Sequence, residues 1–435
     1  MLSLLRRVAV DVTPMRESRD FRLIALGQIV SSLGTQAALV ALPFQIFVLS
    51  HSPALVGLLG AFELGPMIVV SLLAGALADR TDRRRLLATA QLAVTVAAGA
   101  LGVAALAGHP PVVLVMILGG LLAGGTSLDS VSRGAIIPNV LSRERLRTGL
   151  AFNYGLQQVT GIIGPALGGL LIALAGVSCA YLVDSASCLA MLVAALAIAP
   201  QRPVMREAPP PVGAAIAEGL RFVKSNHALS GSFAIDLVAM TFGMPRALFA
   251  VLALTVYHAG ASGTGLLYAA VALGGTLAVL TSGWIGHARR LGRIVILAVL
   301  CWGAGIAGAG LVRTIAPAIV LLAIAGYADG VSAFCRSTIN QTVTPDALRG
   351  RMSSVFSLVV TSGPRLGDIE SGLVAGLTSA LTSVLSGGIA CIVGVGAIVW
   401  AFPELAAYDE HRLRGPAVER DLAVEMAAVS ELELP

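Results

Sequence analysis

Gly75-Ala76-Leu77-Ala78-Asp79-Arg80-Thr81-Asp82-Arg83-Arg84-Arg85 lies between two long apolar stretches, 54–78 and 86–108. It reads as a charged clasp between two membrane helices. The small residues Gly75, Ala76 and Ala78 let one helix end approach a neighbour closely, Asp79 and Arg80 can pair across that contact, and Arg83, Arg84 and Arg85 hold the turn on the cytoplasmic side. A packing of this kind, able to break and re-form, predicts a gate.

Composition agrees with a bilayer. Of the 435 residues 56% are hydrophobic and 12% charged, and the mean hydropathy is +0.87; a soluble domain with that surface would not stay dispersed. Spans of about 20 residues fall at 22–49, 54–78, 86–108, 111–132, 149–174, 178–199, 229–257, 263–286, 293–313, 315–336, 352–377 and 379–401. The expected fold is an all-α membrane protein, twelve transmembrane helices in two pseudo-symmetric six-helix bundles. Segments 1–21 and 402–435 are a cytoplasmic N-terminal segment and C-terminal tail, 22–199 and 229–401 the bundles, and 200–228 a linker. Within the linker, Pro200, Pro203 and Pro209 to Pro211 precede an amphipathic stretch, 212–228, that predicts a helix on the membrane surface.

Basic residues set the orientation. Of the 29 Lys and Arg, 26 fall on one side, so both termini are expected in the cytoplasm and the chain in the inner membrane. The bilayer accounts for the formal charge of +5, and no nucleic-acid partner is expected. No cleavable signal is apparent, and the first span acts as the anchor. Cys179, Cys188, Cys301, Cys335 and Cys391 form no Cys-x-x-Cys and the histidines show no ligand spacing, so neither metal nor cofactor is expected.

The halves read as a diverged repeat. Arg133 and 139–147 have a counterpart in Arg336 and 341–349, and the clasp has a weaker echo at Gly283 to Arg290, with His287 where Asp79 stands. Such a duplication places the cargo site between the halves and works by rocking them.

Gly-x-x-x-Asp-Arg-x-x-Arg-Arg-Arg at 75–85, with the twelve spans and the central loop, resembles the major facilitator superfamily; the family's usual Gly at the eighth position is Asp82 here. Gly164-Pro165-Ala166-Leu167-Gly168-Gly169 resembles the Gly-Pro-x-x-Gly-Gly signature of its proton-coupled exporters. Pro43-Phe44-Gln45-Ile46, Gly219-Leu220-Arg221-Phe222 and Leu267-Tyr268-Ala269-Ala270 are similar to the enterobactin-exporter branch. The resemblance implies proton-driven export of a siderophore-like or amphipathic small molecule. Neighbouring branches, which handle macrolides and tetracyclines, supply the alternative of a broad multidrug pump.

Ionisable residues within spans cost roughly 2.5–3.5 kcal/mol each on insertion scales and are functional candidates by default. Glu63, midway along the second span with no basic residue within a turn, and Glu370, with no evident partner on its own helix, are proton-coupling candidates, joined by Asp368 and Asp236. The structural alternative for Glu63 is a hydrogen-bonded carboxyl at the kink beside Pro66. Arg246, after Gly243 and Pro245, and Arg365 are substrate-cavity candidates; pairing with an acid on another helix is the alternative for Arg246, and Arg365 can also satisfy Asp368 three residues on. Asp129 and Arg133, four apart with the acid first, are expected to pair and, with Gly75, Asp79, Arg80 and Arg84, to gate. Asp329 and Arg336 repeat that pattern at a spacing of seven, and Asp184 is expected to face water near the outer end of the sixth span. Gly363-Pro364-Arg365-Leu366-Gly367-Asp368 echoes Gly164 to Gly169.

The only lysine, Lys224, sits in no phosphate-binding loop, and no nucleophile and base constellation appears, which leaves no case for an ATP-driven pump or an enzyme. A non-transporting membrane scaffold or receptor is the alternative of another class. One chain is expected to act as a monomer with the lipid bilayer, a small-molecule substrate and protons as its partners.

Overall fold

The computed structural model describes residues 13–78, 81–201, 212–345 and 348–409. Asp79 and Arg80, much of the Pro-rich linker and the acidic tail fall outside them. The described residues are helices joined by short turns, and none forms a strand.

Six spans precede the linker. After a short helix, Thr13–Glu17, come α1 (Arg19–Ser50), α2 (Pro53–Ala78), α3 (Arg83–Leu106) and α4 (Val112–Val140). The helical stretch Arg143–Ala197 would be about 80 Å long if straight, far more than a bilayer core of about 30 Å. It breaks at Gly176, whose φ of 82° is open to glycine at little cost, and so provides α5 (143–175) and α6 (177–197).

Six more follow. The surface helix Val212–Ser225 packs on the eleventh span and stops where Asn226 caps the next helix, its side chain accepting from Leu229 N at 3.1 Å. The seventh span, α7, consists of His227–Phe242 and Leu248–Thr255. It breaks where Pro245 cannot donate to a helical ladder and where Gly243 makes room for Trp302, whose Cδ1 would lie 2.9 Å from a Cβ there. Then come α8 (Gly260–Thr281, continued by the 3-10 turn Ser282–His287), α9 (Leu291–Ala309), α10 (Ile315–Val343), α11 (Arg349–Leu377) and α12 (Ala380–Ala401).

Among the described helices nine are long and apolar enough to cross a membrane by composition alone. One of the nine holds both α5 and α6. The remaining two spans are the broken α7 and α11, which Arg365, Asp368 and Glu370 make less apolar.

Two seams join the halves, and glycine builds both. Along α2 and α11, a Cβ on Gly57 would lie 2.7 Å from Gly372 Cα; along α5 and α8, a Cβ on Gly169 would lie 2.9 Å from Gly265 Cα. Neither approach tolerates a side chain. Both seams sit toward the face opposite the Arg-rich loops, where the far half of α7 also meets α1 and α2. Toward the Arg-rich face a Cβ on Gly155 of α5 would meet nothing within 4 Å.

Candidate functional site

Just inside the first seam a network of four charges crosses from one half to the other. Gly60 lets α2 come so close that a Cβ there would lie 2.8 Å from Arg365 O. Glu63, one turn further along α2, then meets the Arg365 side chain, Oε2 to Nε at 2.9 Å. Arg365 Nη1 lies 3.5 Å and Arg246 Nη2 3.4 Å from Asp368 Oδ2. Asp368 Oδ1 accepts from Ala247 N at 3.0 Å, and the Tyr268 hydroxyl donates to Arg246 O at 3.0 Å, which ties the network to the break in α7.

Two acids and two bases cancel, and this is how the charges are tolerated at membrane depth. Glu63 lacks a partner on its own helix, yet it is ion-paired because α11 supplies one. Arg246 takes the alternative of an acid on another helix, Asp368, and Arg365 meets Asp368 three residues on, as their spacing allows, and reaches Glu63 besides.

The other intramembrane charges form separate groups. Asp129 pairs with Arg133 and also accepts from Gln91 Nε2 at 2.6 Å. In the second half Arg336 pairs with Asp236 and lies 3.5 Å from Asp329, so Asp236 sits in a buried ion pair apart from the Glu63 network. Asp184 is fully buried and accepts from Thr35 Oγ1 at 3.1 Å and Cys188 Sγ at 3.4 Å, which overturns the expectation that it faces water. The reason is Gly34 of α1, where a Cβ would lie 2.8 Å from Asp184 Cα and so would hold α6 away. Glu370 has no ion-pair partner among the described residues, and its buried Oε2 has no hydrogen bond.

Gly164-Pro165-Ala166-Leu167-Gly168-Gly169 packs α5 on two neighbours. Cβ atoms on Gly164 and Gly168 would lie 2.5 Å from Gln36 Cβ and 2.6 Å from Ala37 Cα of α1, while Gly169 makes the seam with α8. In α11 Gly367 packs on α7, where a Cβ would lie 3.2 Å from Thr241 O, and Gly372 makes the seam with α2. Structural counterparts are therefore 164 and 367, 169 and 372, at the separation of 203 that also relates Arg133 to Arg336. The echo at 363–368 aligns at 199, one helical turn out of register.

Of the clasp, the described part holds the ends of α4 and α6. Arg83 Nη1 donates to Ala135 O and Arg84 Nη1 to Ile198 O, each at 3.0 Å. Asp82 caps α3, accepting from Arg84 N at 3.0 Å and from Gln201 N at 2.9 Å. Its φ of −62° requires no glycine, so this departure from the motif replaces one turn former with a cap. Gating by Asp79 and Arg80 concerns residues outside those described.

Polar uncharged residues were missed by a reading that weighed only ionisable ones. Ser31, Thr35, Gln36, Gln91, Thr126 and Gln158, with Asp129 and Arg133, line a cavity of about 400 Å³ within the first half. The signal lay in amide side chains recurring on apolar spans, since they too are costly there without partners.

The profile of a major facilitator family described as "Transmembrane secretion effector" matches residues 9–430. The chain belongs to this family. As one of its members it is a multi-pass membrane transporter and not an enzyme. Its similarity to enterobactin exporters called EntS extends over most of both chains: 29% identity with that of Shigella boydii serotype 4 (strain Sb227), over 89% of this chain and 92% of the relative, and 27% with that of Citrobacter koseri, over 90% and 92%. Among solved structures, the fold of this secretion-effector family member matches the nucleoside transporter NupG (D323A mutant) with a TM-score of 0.73 at 14% identity, over 88% of this chain and all of the other. It also matches a bacterial homolog of the human lysosomal transporter Spinster, inward-facing and unoccupied, with a TM-score of 0.67 at 16% identity, over 91% and 97%.

Proposed function

We propose that this chain exports a siderophore-like or amphipathic small molecule in exchange for protons, by alternating access between the bundles 22–199 and 229–401, with both termini in the cytoplasm. The observation that carries the reading is the ion pair between Glu63 of one half and Arg365 of the other, at 2.9 Å beside the Gly57 and Gly372 seam. Opening the far face pulls α2 from α11 and breaks that pair. An ionised carboxylate left alone at membrane depth is costly, so Glu63 takes a proton from the outer side as it separates. When the seam closes again, Arg365 and the proton compete for the same carboxylate, and the proton leaves on the cytoplasmic side. Relatives named as enterobactin exporters support the cargo class.

The test is transport in inside-out vesicles with an acidified lumen. Glu63→Gln keeps shape and hydrogen bonding but can neither ionise nor carry a proton. Gradient-driven accumulation of a ferric-free catecholate siderophore should fall at least tenfold, while exchange of labelled for unlabelled cargo continues. Unchanged gradient-driven accumulation sinks the assignment, and the same loss in Glu370→Gln with none in Glu63→Gln moves it to Glu370.

A further inference from the structure

Asp184 of α6 breaks the pattern that the other paired intramembrane acids follow. Glu63, Asp129, Asp236, Asp329 and Asp368 each face an arginine, whereas Asp184 has no cation within ion-pair distance among the described residues. It is also fully buried. The groups that face it are neutral. Thr35 of α1 and Cys188 of α6 donate to Oδ1 at 3.1 and 3.4 Å, and Oδ2 is buried without a hydrogen bond. Tyr181, three residues back on α6, gives its hydroxyl proton to Gln45 at 2.8 Å, and on the α3 side Ser185 donates to Thr95 O at 2.9 Å. The charges of the neighbouring cavity, Asp129 and Arg133 of α4, are paired with each other. An ionised carboxylate in such a setting would hold a full charge with no counter-charge and with one oxygen shut off from water, and buried groups escape that cost by becoming neutral. A metal ion does not answer the need, since it requires several oxygen ligands and no cluster of metal-ligating side chains occurs among the described residues.

We infer that Asp184 is a proton-binding site of the first half, neutral in the arrangement described and supplied with its proton from the cavity through Thr35. Thr35 and Cys188, the two residues that hold Oδ1, are both among the lining residues of the cavity of about 400 Å³, so the acid sits directly behind the cavity wall. A hydroxyl donates and accepts at once, so Thr35 can take a proton from solvent in the cavity and pass its own to Asp184. Once the acid is neutral, the same contact survives with Thr35 as acceptor. The only change is that a carboxylate and a proton become a carboxylic acid. The inference stands apart from the role given to Glu63, which belongs to the network at the seam with α11.

The test is infrared spectroscopy of the purified full-length chain at about pH 7, where water-exposed aspartates are ionised. Subtracting the spectrum of Asp184→Asn, an amide with the shape of the neutral acid, should leave the C=O stretch of one protonated carboxyl. That band should shift on transfer to D2O. Thr35→Val, which removes the hydroxyl and keeps the volume, should retain the band and slow its shift at least tenfold. If Asp184→Asn does not fold, carbon-13 labelling of the aspartate carboxyls in the unaltered chain decides, and the labelled protein should show a protonated aspartate. A carboxylate signal in the difference spectrum, or no protonated aspartate in the labelled chain, overturns the site. A shift as fast in Thr35→Val as in the unaltered chain overturns the route through Thr35. Should Glu63→Gln leave gradient-driven transport intact while the Asp184 band is present, the coupling assignment fails and the proton site stands.

Discussion

The two seams between the halves share one backbone geometry and differ in what they carry. Gly57 against Gly372 and Gly169 against Gly265 bring helices equally close, as expected of a duplicated bundle. Yet with 203 as the offset between α5 and α11, Arg365, Asp368 and Glu370 stand where α5 has Ile162, Pro165 and Leu167. With Gly57 matched to Gly265, Val271 of α8 stands where α2 has Glu63. One seam is held by glycine packing and a salt bridge, the other by glycine packing beside a proline. The difference teaches that close approach and charge were separable during divergence: packing makes both joints, and charge is added at one of them.

Arg365→Gln should break this comparison most. It leaves Glu63 without a cation and Asp368 with Arg246 alone, and removing one member of a buried pair costs about 3–5 kcal/mol. The thermal midpoint of the purified protein in detergent should drop by several degrees, and Glu63→Gln in the same chain should recover much of the drop. No recovery in the double variant would mean that the pair does not bind the seam.

A second test treats the seams alike. Gly372→Val and Gly169→Val each put a branched side chain against a backbone less than 3 Å from the glycine's Cβ position, which packed helices cannot absorb without moving apart. Spin labels at positions 52 and 378, in a background lacking the five native cysteines, should report a longer far-face distance in both. Gly372→Val should also lose gradient-driven transport, whereas Gly169→Val should slow cargo exchange and gradient-driven transport in equal measure.

Much of this was legible in the sequence, and the exceptions have physical causes. Span positions, the break near Gly176, the pairing of Asp129 with Arg133 and the family followed from hydropathy, spacing and motif, all of them local along the chain. Partners across the seam were not local. Nothing in the residues around Glu63 announces Arg365, three hundred residues away, and nothing around Asp184 announces that Gly34 lets α6 bury it. The false register at 363–368 arose because positions one turn apart on a helix share a face, so a Gly-Pro-x-x-Gly pattern repeats plausibly at a slip of four. Only the contacts of Gly367 with α7 and Gly372 with α2 fix the true alignment.

The smallest expected effect sharpens the division most. Pro165 lies inside α5, where its ring withholds one backbone donor and loosens the helix beside the uncharged seam. Pro165→Ala restores that hydrogen bond, so the thermal midpoint should hold or rise slightly, while a stiffer α5 should slow transport by a few-fold. If protons are handled at the Glu63 seam, as proposed, the ratio of protons released to cargo moved, read in the same vesicles with a pH-sensitive dye and labelled cargo, should not change. A variant that slowed both equally would mark α5 and α8 as a mechanical joint. A changed ratio would mean that the two seams share the coupling, and the contrast between Glu63 and Val271 would then lose its force.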